Sequence, residues 1–286
     1  MNQERVMGGE AGSDNKVKET IEAVTGLVKA VPVYEDAVQP AAKQIGKSLE
    51  TVGRAVNAAL LPITGLVWGA EKIHEFLATK VADRLKGVPV DDIITPKPNV
   101  AGPAIEALRF TGHEESLSDM YANLLAAAMD KNTAEVAHPA FVEIIKQLTP
   151  DEAKLMSYLL EPVALPLVSI SADHSDYKMG GYELASNISL FGIKAKLENP
   201  NVVRTYLDNL CRLGLIALPT ENSYIDDAVY AELEGSAEVE KYRNSTRLRP
   251  DHSVKIHRHA VTITNLGKHF GQICVKGRKK TPENPA

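Results

Sequence analysis

The chain of 286 residues is 44% hydrophobic and 24% charged, with a formal net charge of −5, an ordinary soluble composition long enough for two modest cores. Its 5% aromatic content favours helix packing over an aromatic-rich cleft, and its polar start, MNQERVMGGEAGSDN, reads as neither a secretory signal nor an anchor. Cys211 and Cys274 have no Cys-x-x-Cys spacing and no histidine at ligand distance in sequence, so both are expected as buried free thiols rather than a disulfide or metal pair. A cytoplasmic location follows, with inner-membrane association as the alternative.

Residues 1–15 read as a disordered tail. Val17, Ile21, Val24, Val28 and Val31 then repeat at alternating steps of four and three, the seam of a short helix that stops near Pro32. After Pro40 the alternation resumes through Ile45, Leu49, Val52, Val56, Ala59, Ile63 and Leu66, and Ile73, Leu77 and Val81 extend it after a slip. Such a stripe needs a helical partner, in the same chain or in another copy, so a homo-oligomer is expected. Pro62 should kink or divide the helix. The segment Ala55–Ala70, AVNAALLPITGLVWGA, carries no charge. As a helix its sixteen residues would span about 24 Å, short of the roughly 30 Å of a bilayer core. Gly65 and Gly69 form a G-x-x-x-G pair beside Trp68, the only tryptophan, and these three are the candidate membrane or oligomer contacts. Asn57, Pro62 and Thr64 weigh against insertion, so a buried helix is preferred.

From Gly87 to Pro103 prolines and glycines predict a connector. Asp91 and Asp92 there lack a third ligand, and solvated acids are the better reading. Next comes LSDMYANLLAAAMDKNTAEVAHPAFVEIIKQLTPDEAKLM, Leu117–Met156. Leu117, Tyr121, Leu124 and Ala128 mark one helix; His138 and Pro139 open a second, carrying Phe141, Ile144, Ile145 and Leu148. A third begins with Thr149 at the N-cap, Pro150 at the first position and Glu152 closing a capping box. Histidine before a helix-opening proline is explained as a cap partner, and Glu114 and Glu115 as acids that help a helix begin.

Beyond this the pattern becomes mixed. Val163–Ile170 reads as an edge strand, Tyr182–Leu197 as a helix broken at Gly192, and Asn199-Pro200 as the start of a helix with Val203, Leu207, Leu210 and Leu213 on its apolar face. Gly214 ends that helix, Leu215 and Ile216 start a strand, and Val261 and Ile263 form a second one. Thr264 then caps a last helix that buries Leu266, Phe270 and Ile273. This order resembles a winged helix domain, although the hairpin insert Pro219–Asp251 is long and carries Asp226, Asp227, Glu232, Glu234, Glu238 and Glu240.

From Arg247 onward there are nine Lys or Arg against two acids, leaving 23 basic and 35 acidic residues before it. A basic end on an acidic body either contacts phosphate or lies against the body's own acids. The candidate nucleic-acid or partner contacts are Arg204, Arg212, Arg247, Arg249, Lys255 and Arg258. Only two cations on the third helix, with Asp208 between them, make a weak groove reader. His257 and His259 share one side of a strand without a nearby acid in sequence, and Asp173, His174 and Asp176 form a loop cluster; surface roles are preferred for both. Arg247 and His252 match the spacing of a helical RNase site, but Pro250 between them opposes a helix. No phosphate loop, nucleophile elbow, zinc-protease helix or dinucleotide fingerprint is present. No catalytic, metal or cofactor-binding residue is assigned, and no cofactor is expected.

The central run, together with YLDNLCRLGLI (Tyr206–Ile216) and TNLGKHFGQIC (Thr264–Cys274), resembles the Abi-alpha (abortive infection alpha) family of bacterial proteins linked to phage defence. The resemblance covers most of residues 40–275 and implies a biological setting but no reaction: a non-enzymatic bacterial antiphage protein. The seam from Ile45 to Leu66 and the missing catalytic signatures add the expectation that it oligomerises and that its C-terminal domain binds a phage or host protein. A membrane-acting toxin using Ala55–Ala70, and a winged helix nucleic-acid binder, are the alternatives. The expected fold is mainly α. It comprises a disordered tail (1–15), N-terminal helices with a heptad-like seam and linker (16–99), and a central helical domain (100–148). A winged helix-like α+β domain with a long acidic hairpin insert (149–275) and a basic tail (276–286) follow.

Overall fold

The structure, a computed structural model, describes residues 67–244 and 248–277. The chain divides after Thr64, and all described residues belong to the second unit. Residues 1–15, read above as a disordered tail, the seam up to Leu66 with Pro62 and Gly65, the uncharged stretch as far as Leu66, Arg247 and residues 278–286 lie outside the described residues.

Helix α1 (Ala70–Phe76) runs through a π-helical turn (Leu77–Val81) into α2 (Ala82–Leu85). Ile73 and Leu77 are half-buried and Val81 is buried, so this part of the stripe faces the helical body. Instead of remaining a connector to Pro103, the chain enters α3 (Pro98–Thr111). Pro98 occupies the first turn, where its missing N–H costs no bond, and Pro103 is tolerated inside. Helix α4 (Glu115–Met129) is the centre of the molecule, with Leu117, Met120, Tyr121, Leu124, Leu125 and Ala128 buried. Helices α5 (Ala140–Lys146) and α6 (Pro150–Leu159) follow as the punctuation predicts. The Ala140 N–H donates to Nδ1 of His138 at 3.0 Å, and the Thr149–Glu152 capping box is complete.

Two predicted elements are corrected. Strand β1 (Pro166–His174) is the central strand, not an edge, of an antiparallel sheet ordered β2-β1-β4, where β2 is Gly181–Ile188 and β4 is His252–Ala260. Pro166 is compatible with a central strand because it stands first in it. Tyr182–Leu197 is not a helix: its first half is β2 and only α7 (Phe191–Lys194) is helical. Tyr182, Leu184, Ala185 and Ile188 fit either period locally; pairing with β1, from Asp173↔Gly181 to Val168↔Ile188, selects the strand.

A 3-10 turn (Pro200–Val202) leads into α8 (Val203–Arg212), which ends at Gly214 with φ +73, the left-handed conformation glycine adopts without penalty. Strand β3 (Ile216–Ala217) pairs with β5 (Thr262–Ile263), and α11 comes last (Asn265–Phe270), capped by Thr264 and extended by a π-helical turn (Gly271–Val275). Phe270 and Ile273 are buried, but Leu266 is 41% exposed. Cys274 is buried and burial pushes its thiol pKa up, whereas Cys211 is exposed because the buried stripe of α8 runs through Val203, Leu207 and Leu210. The acidic insert folds into α9 (Ala228–Glu234) and α10 (Ala237–Arg243). Tyr230, Leu233 and Val239 from these helices cover the apolar sheet face made by Val168, Ile170, Ala185 and Ile188. A larger core extends from Phe76 to Cys274 and joins the helical run to α8 and α11.

Candidate functional site

The candidate cations among the described residues are engaged by the protein itself. Arg258, on β4, points to the insert: its guanidinium bonds the carboxylates of Glu234 and Asp227 and lies 5.1 Å from the Tyr230 ring centroid. The acids of the insert therefore neutralise the cation that sequence reasoning offered to phosphate. Arg204 is 3.1 Å from Glu238, and Lys255 Nζ is 2.9 Å from Asp173. Arg212 donates to Asn209 and Gln147, and Arg249 stacks 4.9 Å from the centroid of Tyr182. Of the positions that helical spacing places on the outer side of this segment, Thr205, Asp208 and Arg212 are exposed on α8 and Asn201 is exposed in the preceding 3-10 turn, whereas Arg204 and Asn209 are half-buried.

Helices α6 and α8 are joined by two carboxylates in the first turn of α6, Asp151 and Glu152, of which the sequence showed only the capping-box role of Glu152. Asp151 accepts from the N–H groups of Glu198 (2.9 Å) and Asn199 (2.8 Å) and from the Tyr206 hydroxyl (3.3 Å), with Lys154 at 3.9 Å. Burial alone would raise its pKa, but these donors and Lys154 outweigh burial and hold it below the usual carboxylate value. Glu152 accepts from the Thr149 N–H through one oxygen and from the Asn209 amide at 2.7 Å through the other. Both carboxylates are nearly inaccessible, which suits an anchor.

The outer face of the sheet brings together the histidines and acid that sequence spacing kept apart. Ser171 Oγ donates to Asp173 at 2.7 Å and lies 2.8 Å from Nε2 of His257. A hydroxyl has one proton, so a serine donating to Asp173 must accept from His257. The imidazole then acts as donor, opposite to the direction needed to activate a nucleophile. Lys255 and then Ser171 hold Asp173 below its ordinary pKa. His259 is buried, 2.9 Å from Ser169 Oγ, and burial followed by the charge of His257 lowers its pKa. Its Nδ1 has no partner among the described residues. His174 and His252 pack edge-on at 5.0 Å, and His252 begins β4 rather than lying on a helix. Asp91 and Asp92 lie in a 3-10 turn (Val90–Asp92), and no group of three His, Cys, Asp or Glu among the described residues is arranged to hold a metal.

Trp68 is seated on the protein: its backbone N–H donates to the Arg109 carbonyl at 2.7 Å and its ring centroid is 5.8 Å from that of Phe76. A Cβ on Gly112 would approach the indole to 2.5 Å. Gly69, just before α1, is open around its Cα. No helix among the described residues is long and apolar enough to cross a membrane.

A cavity of about 500 Å³ is lined by Leu85, Val88, Ala126, Ala127 and Ile273, with polar groups that include Asp130 and Lys276. It was not legible in the sequence because its walls come from α2, α4 and the last π-helical turn.

No curated protein matches the chain. A solved structure described as an uncharacterized protein from the hydrocarbon-degrading marine bacterium Alcanivorax borkumensis SK2 is similar at 21% identity, covering 46% of this chain and 89% of that one with a TM-score of 0.31. Residues 69–274, spanning the helical body, the sheet and the last helix, match the family described as abortive infection alpha. The chain belongs to the abortive infection alpha family.

Proposed function

We propose that this protein takes part in antiphage defence without a reaction centre of its own, by self-association through its N-terminal seam and by docking a phage or host protein on its C-terminal part. Family membership supports the setting. The apolar seam of the sequence supports self-association, and the observation that carries the absence of a reaction centre and the choice of partner is the internal engagement of the chemistry-bearing groups. Arg204, Lys255 and Arg258 are paired with carboxylates, Asp151 and Glu152 hold α6 to α8, and Ser171 stands between an acid and a donating histidine. Cations already paired give up an ion pair to reach phosphate, so a protein partner is favoured over nucleic acid. The passage from α8 to β3 and from β5 to α11 supports a winged helix-like module, with the exposed side of α8 as its docking surface.

The test is survival of bacterial cultures after infection, with cells carrying either the wild-type protein or a Leu49→Lys, Val56→Lys variant. Loss of protection together with loss of self-association, at unchanged protein level, is the expected result. Full protection by a monomeric variant contradicts the seam's role, and duplex binding that weakens steeply with salt contradicts the choice of partner.

A further inference from the structure

Strand β4 has one neighbour and one open side. In the sheet order β2-β1-β4 nothing pairs with its outer edge among the described residues. Its register against β1 runs unbroken from Pro166↔Ala260 to His174↔His252, whereas β2, the other edge, slips register twice and carries Asn187 at φ +53. Proteins commonly blunt a free edge with bulges, prolines or lysines, and of these β4 carries only Lys255. The ladder shows which backbone groups are open. Beyond one end of β4 the Val261 N–H donates to the Leu165 carbonyl at 3.0 Å, and beyond the other the Ser175 N–H donates to the Asp251 carbonyl at 2.7 Å. Bonded pairs alternate along an antiparallel ladder, so Ser253, Lys255, His257 and His259 bond β1. The N–H and C=O groups of Val254, Ile256 and Arg258 therefore point away from it, and no hydrogen bond among the described residues takes them.

We propose that the open edge of β4 takes an extended segment of a partner protein, added antiparallel to the sheet, with acidic and apolar residues in alternation. Main-chain hydrogen bonds hold such a segment, and alternate side chains select it. On the inner face Val254 and Ile256 are half-buried against the cluster that holds Tyr230 and Leu233, so apolar side chains of an added strand extend that cluster. On the outer face Ser253, Lys255 and His257 are exposed, and no acid occurs anywhere in β4. Lys255 gives one of its three N–H donors to Asp173 at 2.9 Å and keeps two for a carboxylate opposite it. A second copy of β4 fits less well. The two-fold register with Ile256 opposite Ile256 uses all the open groups, but it sets Lys255 against His257 and Val254 against Arg258, with no acid to pair. Past Arg258 the edge is closed, since that side chain is held by Asp227 and Glu234 and the Tyr230 hydroxyl donates to the His259 carbonyl at 3.0 Å. The open stretch from Ser253 to Arg258 is about 20 Å long. It is separate from the exposed side of α8 and from the seam, so the failure of either leaves this proposal standing.

The test uses the full chain and a fluorescein-labelled peptide of alternating valine and glutamate, read by fluorescence anisotropy. The expected result is binding at least tenfold tighter than that of the same peptide with lysine for glutamate, a preference lost in Lys255→Glu. Residues opposite Val254 and Ile256 share their face and bond them directly. N-methylation of the peptide's valine nitrogens should therefore weaken binding at least tenfold, while N-methylation of its glutamate nitrogens changes it less than twofold. Ile256→Pro removes an outward N–H from β4 and no bond to β1, and it should abolish binding. Should that variant fail to fold, the two methylated peptides give the same decision on the unaltered chain. Equal affinity for the glutamate and lysine peptides, equal effects of the two methylations, or no binding at millimolar peptide would each overturn the proposal. So would a fall in the mass of the peptide-free chain on Ile256→Pro, which would put a second copy on this edge.

Discussion

Replacing Asp151 by Asn keeps the shape of the anchor between α6 and α8 while removing its charge. The carboxylate accepts two backbone N–H groups and the Tyr206 hydroxyl, and its side chain is 5% exposed. An amide offers one oxygen, and its NH₂ group must then face a donor. Hydrogen bonds to a charged group contribute about 1.5–3 kcal/mol each, and at least one is lost with its donor left buried, so the substitution should destabilise by about 2–3 kcal/mol. Urea unfolding at pH 7 measures this as a shift of midpoint at unchanged slope. The pH dependence is a second check. The native pKa of Asp151 lies below its unfolded value, so its contribution is complete above the unfolded value near 4 and is lost as pH falls through the native pKa. The gap between wild type and Asp151→Asn should therefore narrow on acidification below about pH 4. A difference under about 0.5 kcal/mol at pH 7, or one that stays constant to low pH, refutes the reasoning.

Four further outcomes are expected. Thr149→Ala, which removes one half of the capping box, should cost about 1 kcal/mol in the same unfolding assay. Gly267→Ala should be more severe, about 3 kcal/mol in chemical denaturation, because its Cβ would come within 1.9 Å of the Leu215 carbonyl oxygen and push α11 off β3. Tyr230→Phe leaves the buried His259 carbonyl and the Tyr224 N–H without the hydroxyl that bonds both; a loss of about 1–2 kcal/mol and faster amide exchange in α9 should follow. Glu234→Gln with Asp227→Asn strips Arg258 of its carboxylates, so duplex DNA affinity at low salt should rise above that of wild type; unchanged affinity would mean that the pairing does not restrain this cation.

Elements fixed by their own neighbours were legible in the sequence. Thr149-Pro150 with Glu152, His138 before Pro139, Gly214 and Thr264 each satisfy backbone groups within a few residues, and each stands where the punctuation put it. Strand β2 was misread because Tyr182–Ile188 satisfies helical and strand spacing alike, and only β1 alongside decides between them. The anchoring roles of Asp151 and Glu152 were hidden for a related reason. An acid in a helix's first turn is explained locally, and its partners Glu198, Asn199, Tyr206 and Asn209 are far off in sequence. For the cations the sequence posed two readings, phosphate or the body's own acids, and the side-chain geometry supports the second for Lys255 and Arg258. The cavity left no trace in the sequence because it belongs to no single element.

The self-association at the centre of this account is tested most directly by the mass of the full chain in solution, measured by light scattering at micromolar concentration. A multiple of 31.0 kDa that falls to a single chain when Leu49 and Val56 are changed to Lys is the result the account requires. A species of 31.0 kDa at every concentration for the wild-type chain would contradict it.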